Sequence, residues 1–338
     1  MKKTLIALAA VAAATGAMAQ ATISGKYGVS YQQTIGGVAN LATTDGDVRF
    51  TATEDLGGGL RATVAMELRV RGRGNVDAGS PACANGLYTV PHDHVDDEED
   101  EPVANIDPIP AGALVNCAAT NLGVGARNAT VSLSGGFGSV TLGSVEAGNG
   151  IIGRAWAGAP IALPTLYDGR ILSGVANVDW FQYTSPALAP GLTVNYQRVD
   201  SVANPGTTEG TTANVFGANY AQGPLSAGID YTVFKGPDSK RTRVSASYNF
   251  GVAMVGAGYE DRDTTEAQYT LGVSAPVAAN IRVGAIWARN KENGRTGYAL
   301  GADYALSKRT AVNFTYGDVT KGDVADATQY RVRLMHSF

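Results

Sequence analysis

From residue 20 onward the chain alternates between apolar and polar positions with a period of two. Between Thr22 and Tyr31, Ile23, Tyr27, Val29 and Tyr31 fall on one face, and Thr22, Ser24, Lys26 and Ser30 on the other. The stretch from Leu60 to Arg71 repeats the pattern, with Leu60, Val64, Met66, Leu68 and Val70 opposing Arg61, Thr63, Glu67, Arg69 and Arg71. At the C-terminus, Tyr330, Val332, Leu334, His336 and Phe338 alternate with Arg331, Arg333, Met335 and Ser337. Successive side chains of an extended strand point to opposite faces, and helical spacing fits none of these runs.

About sixteen such segments can be counted, at 21–33, 46–54, 60–72, 127–134, 138–146, 178–185, 192–200, 213–221, 225–235, 240–249, 253–261, 266–274, 281–290, 295–304, 310–317 and 328–338. The connections between them tend to alternate in length. Short ones, such as Gly57-Gly58-Gly59, Gly135-Gly136-Phe137 and Gln222-Gly223-Pro224, take turns with longer polar ones, notably 73–126 and 147–177. That layout predicts an all-β fold: a sixteen-stranded antiparallel transmembrane β-barrel with short periplasmic turns and long extracellular loops. In hydrocarbon every backbone N–H and C=O needs a partner, so the sheet must close on itself. A barrel of sixteen strands is too wide for side chains to fill, and water occupies it. Aromatics near the strand ends, among them Tyr27, Tyr31, Phe50, Tyr183, Tyr220, Tyr248, Tyr304, Tyr330 and Phe338, suit the membrane–water boundary.

The first nineteen residues read as an address. Lys2 and Lys3 precede a short apolar stretch, and Ala17-Met18-Ala19 has the small-x-small form of a cleavage site. Residues 1–19 are therefore expected to be a signal peptide and 20–338 the barrel domain. No later window approaches 18 consecutive apolar residues, so no transmembrane helix is expected. Only 17% of residues are charged, with 43 Gly and 15 Tyr, a lean and strand-compatible composition.

Four passages resemble the general trimeric porins of Gram-negative outer membranes, in their β-proteobacterial, Neisseria-like branch. They are Ala21–Gly28, the hairpin from Arg49 through Glu54 to Ala62, the hairpin Leu133–Gly143, and the terminal Arg331–Phe338. The resemblance spans essentially the whole chain after residue 19. It implies a homotrimer in contact with outer-membrane lipid and lipopolysaccharide, and recognition of Phe338 by the barrel assembly machinery. It also implies a third long loop, at about 147–177, folded into the lumen as the constriction. Two features depart from the family pattern: Ser144 stands where an Arg is frequent, and the loop is apolar, with Ile151, Ile152, Trp156, Ile161 and Leu163.

A pore acts through wall charges at a low-dielectric narrowing. Strand parity directs Lys26, Arg49, Arg61, Arg69, Arg71, Arg241, Arg243, Arg282, Arg309, Arg331 and Arg333 inward, against Glu67, Asp230, Asp303 and Glu260. Arg154, Asp168 and Arg170 fall in the constriction loop. This basic wall predicts a modest preference for anions among small hydrophilic solutes, since Arg suits inorganic and organic anions. The rival reading of a channel is a non-conducting barrel that serves as an adhesin or anchor.

Net charge points the other way, but one segment explains it. Loss of Lys2 and Lys3 takes the chain from −4 to −6, and Asp93, Asp96, Asp97, Glu98, Glu99, Asp100 and Glu101 supply seven negatives. This run is read as a solvated loop, a weak divalent-cation site on lipopolysaccharide phosphates, or, with His92 and His94, a transition-metal site. Cys83 and Cys117 lie in the same segment. A disulfide is their default reading in an oxidising compartment, worth roughly 3–4 kcal/mol, with a redox or metal role as the alternative. The three His residues, His92, His94 and His336, stand away from any inward Ser, so no catalytic residue is expected. No cofactor and no nucleic-acid partner are expected either.

Overall fold

The computed structural model describes residues 20–33, 38–70, 124–146, 150–161, 177–200, 212–235, 239–291, 294–320 and 327–338. Among the described residues there are sixteen strands. They are β1 (Gln20–Gln33), β2 (Asn40–Gly57), β3 (Leu60–Val70), β4 (Val124–Gly135), β5 (Gly138–Glu146), β6 (Asn177–Thr184), β7 (Leu192–Asp200) and β8 (Thr212–Gln222). The second half comprises β9 (Leu225–Lys235), β10 (Ser239–Asn249), β11 (Met254–Arg262), β12 (Thr265–Ala278), β13 (Ile281–Asn290), β14 (Thr296–Ala305), β15 (Thr310–Thr320) and β16 (Ala327–Ser337). Each strand pairs with its neighbours in sequence, and β1 pairs antiparallel with β16 to close the barrel. Two backbone bonds finish the seam: Gly25 N donates to Phe338 O at 3.0 Å, and Phe338 N to Gly25 O at 2.9 Å. Closure leaves no strand edge without a partner, as a hydrocarbon surround demands.

The alternation read from the sequence becomes an outside and an inside. Ile23, Phe50, Met66, Val131, Leu142, Phe216, Ile229, Leu271, Leu300 and Leu334 are all exposed on the outer face. The inner face buries Thr232, Ser245, Glu260, Thr270, Thr315 and Gln329 instead. This inverts the arrangement of a soluble protein. The β2–β3 turn shows why its sequence is glycine: Gly57, Gly58 and Gly59 all have φ between 61° and 81°, a region costly for any residue with a Cβ.

Three local expectations are corrected. First, β2 begins at Asn40, not at 46, so Asp45 belongs to the wall and not to a loop. A register shift at Gly28/Val29 lets the strand run that far, pairing Gly28 with Asp45 and Val29 with Thr43. Second, β12 extends to Ala278, with Pro276 tolerated beside a register shift because a bulge removes the need for its N–H. Third, Arg309 does not line the lumen. It sits exposed in the β14–β15 turn, where Ser307 Oγ accepts hydrogen bonds from the Arg309 and Thr310 backbone N–H groups. The proposed signal peptide, Arg71, Cys83, Cys117, the acids from Asp93 to Glu101, His92, His94, Asp168 and Arg170 lie outside the described residues.

Candidate functional site

The lumen has three unlike sectors, and a short helical segment makes one of them different. Residues Gly150–Trp156 form a 3₁₀ turn that lies against the inner faces of β9 to β12. Ala155 in it and Ala157 just after it are fully buried. Ala157 takes the left-handed conformation at φ 51°, which costs roughly 1–2 kcal/mol for a residue with a Cβ. Its carbonyl accepts a hydrogen bond from Ser274 Oγ on β12. Farther along, the Pro160 carbonyl accepts from Asn313 Nδ2 on β15 at 2.9 Å. Of the loop expected at about 147–177, residues 150–161 lie against the inner wall, and 147–149 and 162–176 lie outside the described residues.

Arg154 was expected to face the solute path. Its guanidinium turns to the wall instead: Nε donates to Ser226 Oγ at 3.1 Å and Nη2 to Asn219 Oδ1 at 2.6 Å. Burial pushes its pKa below the usual value, and nearby Asp230 opposes that shift. It serves as an anchor between the segment and strands β8 and β9.

The wall beneath and beside this segment buries its charges. Arg243 holds Asp230 through Nε at 3.0 Å and through Nη2 at 2.9 Å. Asp230 is 3% exposed, Arg241 and Arg243 8% each, and Glu260 1%. Arg241 and Arg262 also stack on Phe234, with guanidinium carbons 5.2 and 4.4 Å from the ring centre. Arg241 and Arg243 thus face inward, as strand parity predicted, yet they are covered.

The opposite wall, from β16 through β1 to β4, is open at Lys26, Arg49 and Arg127, while Arg331 on it is 8% exposed. Its register places Lys26, Arg49, Arg69, Arg331 and Arg333 on the inner face with Asp45, Asp47 and Glu67. Arg127 joins them: it is the extra residue of a bulge opposite Glu67/Leu68, and its Nη1 donates to Asp47 Oδ2 and Glu67 Oε1, both at 2.9 Å. Lys26 Nζ lies 2.9 Å from Asp45, and Arg333 Nη1 2.6 Å from the other oxygen of that carboxylate. Six cations share this wall with three carboxylates, and four of them, Lys26, Arg69, Arg127 and Arg333, lie within ion-pair distance of one. The acids are the covered partners: the side chains of Asp45 and Asp47 are 8% and 10% exposed, against 41% for Lys26 and 28% for Arg127. Arg49 is exposed, opposite Glu67 in register. Arg61 pairs with Asp55 near the short-turn rim.

Strand parity missed Asp45, Asp47 and Arg127. Two of the three lie at or next to a bulge, where parity inverts. Arg282 and Asp303 form a rim pair at 2.9 Å, as their predicted shared face allows. The third sector, on β4 to β8, is neutral. Thr130, Ser132, Thr141, Gln182, Asn195 and Asn219 line it, with Trp180 Nε1 donating to Gln197 Oε1 at 3.1 Å.

Comparison with known proteins agrees with this architecture. The family model described as Gram-negative porin matches residues 5–323. No curated protein sequence matches the chain significantly. Among solved structures, the chain is similar to an anion-selective porin from Comamonas acidovorans, at 21% identity and a TM-score of 0.61, covering 95% of this chain and 100% of that one. It is also similar to a loop-deletion mutant of OmpT, an outer membrane protein of Vibrio cholerae, at 11% identity and 0.64, covering 95% and 99%. A mutant of the Rh. blastica porin aligns at 17% identity and 0.60, covering 95% and 100%.

Proposed function

Because the chain belongs to the Gram-negative porin family, and so forms an outer-membrane channel for small solutes, we propose that it passes anions in preference to cations. The observation that carries this reading is the open wall, where six Lys and Arg side chains face three carboxylates and Lys26 and Arg127 are more exposed than the acids they contact. A solute passing there meets cationic donors first, and the low-dielectric barrel amplifies their field. The narrowest passage is read as the gap between segment 150–161 and that wall. Neutral solutes have the hydroxyl and amide sector of β4 to β8 for company. Reconstituted liposomes test this directly. Swelling in gluconate should exceed swelling in an organic cation of equal size, and equal or reversed rates would defeat the reading.

The remaining expectations stand as proposals. Trimer formation is supported by an uneven aromatic belt. Tyr31, Tyr231, Tyr259, Trp287, Tyr298, Tyr304 and Phe314 are exposed on the outer face of β1 and of β9 to β15. Strands β2 to β5 carry one aromatic, Phe50, and otherwise present aliphatic residues such as Met66, Val131 and Leu142 beside the small Ala52, Ala62, Ala129 and Ser144. A face with a single strand aromatic has few interfacial anchors, which favours contact with another subunit over contact with lipid. Cleavage after Ala19, the Cys83–Cys117 disulfide, lipopolysaccharide contact through the acidic loop, and recognition of Phe338 during assembly complete the proposal.

A further inference from the structure

The inner wall opposite the basic sector carries a row of glycines whose missing side chains leave a bed for the segment. A Cβ at Gly256 would stand 2.7 Å from the carbonyl oxygens of both Arg154 and Ala155. At Gly272 it would stand 2.4 Å from Ala155 O and 2.6 Å from Trp156 Cα, and at Gly284 2.7 Å from Ala159 Cβ. At Gly301 it would stand 2.2 Å from Pro160 O. The register explains the alignment: Gly256 pairs with Gly272 on adjacent strands, and Gly284 with Gly301. These contacts involve backbone or short, stiff groups, so the segment could not keep its place if any of the four gained a side chain. Glycine inside a strand weakens the strand and commonly marks close approach of another backbone. Four of them, one on each of β11, β12, β13 and β14, meet one continuous stretch of loop.

We infer that Gly256, Gly272, Gly284 and Gly301 are positioning residues. They form a side-chain-free seat that fixes the depth at which segment 154–160 sits, and through it the width and ion preference of the aperture. The inference rests on the reading of 150–161 as the constriction. The seat works together with the polar tethers: Ser274 holds Ala157, Asn313 holds Pro160, and Arg154 reaches Ser226 and Asn219. Contact along the whole stretch makes the segment a static part of the wall. Closure by swinging it across the lumen would require leaving the seat and all these tethers together.

Single-channel recording in planar bilayers tests the seat with three variants. Gly272→Val fills it and pushes the segment toward the basic wall. Conductance should fall at least about twofold and the reversal potential should shift, because the segment then crowds the charged side. Gly272→Ala adds one carbon and should give a smaller change in the same direction. It also keeps the test open if the valine variant fails to assemble, although valine itself favours strands. Gly153→Trp probes the constriction reading separately, since a Cβ at Gly153 meets nothing within 4 Å. A tryptophan there should reduce conductance if the segment borders the aperture. Unchanged conductance in Gly153→Trp would overturn the constriction reading. A reduced value there, with wild-type conductance and reversal potential in both Gly272 variants, would overturn the seat alone.

Discussion

The two charged walls of the lumen are built from the same residue types and do different things. On β9 to β12, Asp230, Arg241, Arg243 and Glu260 are at most 8% exposed, and the Arg243–Asp230 pair is bonded through two guanidinium nitrogens. On β16 through β4, the carboxylates are covered but Lys26, Arg49 and Arg127 remain open to the lumen. A buried pair contributes to the integrity of the wall and is costly to break, because the surviving charge stays desolvated. An exposed cation contributes to the field a solute feels. On the function proposed above, the same arginine chemistry is structural where it is covered, as at Arg243, and selective where it is open, as at Arg49 and Arg127.

The largest effect should come from breaking the covered wall. Asp230→Ala leaves Arg243 buried without this carboxylate and should cost about 3–5 kcal/mol of stability, measured as a lower urea midpoint for the refolded barrel in vesicles. Its ion preference, if it assembles, should barely move. Next comes the open wall. Arg127→Ala with Arg333→Ala uncovers Asp45, Asp47 and Glu67, and should lower the anion-to-cation permeability ratio roughly three- to tenfold, with a smaller drop in unfolding midpoint than Asp230→Ala because Lys26 and Arg69 still face Asp45 and Asp47. A smaller effect is expected from salt. Between 0.1 and 1 M the screening length falls from about 10 to 3 Å, so the anion preference of the wild-type channel should fade over that range. The smallest is Arg241→Gln, a change on the covered wall that should leave the permeability ratio within about twofold of wild type. If Arg241→Gln shifted selectivity as far as the double open-wall variant, burial would not be what separates the two walls.

Much of this was legible in the sequence, for a physical reason. A strand has period two, and a barrel with lipid outside and water inside writes that period directly as apolar and polar residues. Ile23, Met66 and Leu334 therefore lie outside as read, and Lys26, Glu67, Arg69 and Arg333 inside. Bulges broke the rule. Arg127 is an extra residue in β4, and Asp45 lies beyond a register shift opposite Gly28/Val29, so neither could be assigned by counting. Coverage was also out of reach. Whether Arg241 meets solute depends on what lies over β10, and strand periodicity carries no record of that. The glycine row was visible as isolated glycines in strands, a known mark of close backbone approach, but what approaches them is a tertiary fact.

The most direct test of the central claim is the zero-current potential of the purified wild-type channel across a tenfold potassium chloride gradient, held at low ionic strength. The open basic wall predicts a potential whose sign reports chloride as the more permeant ion. A potential of the opposite sign, reporting potassium, would contradict it.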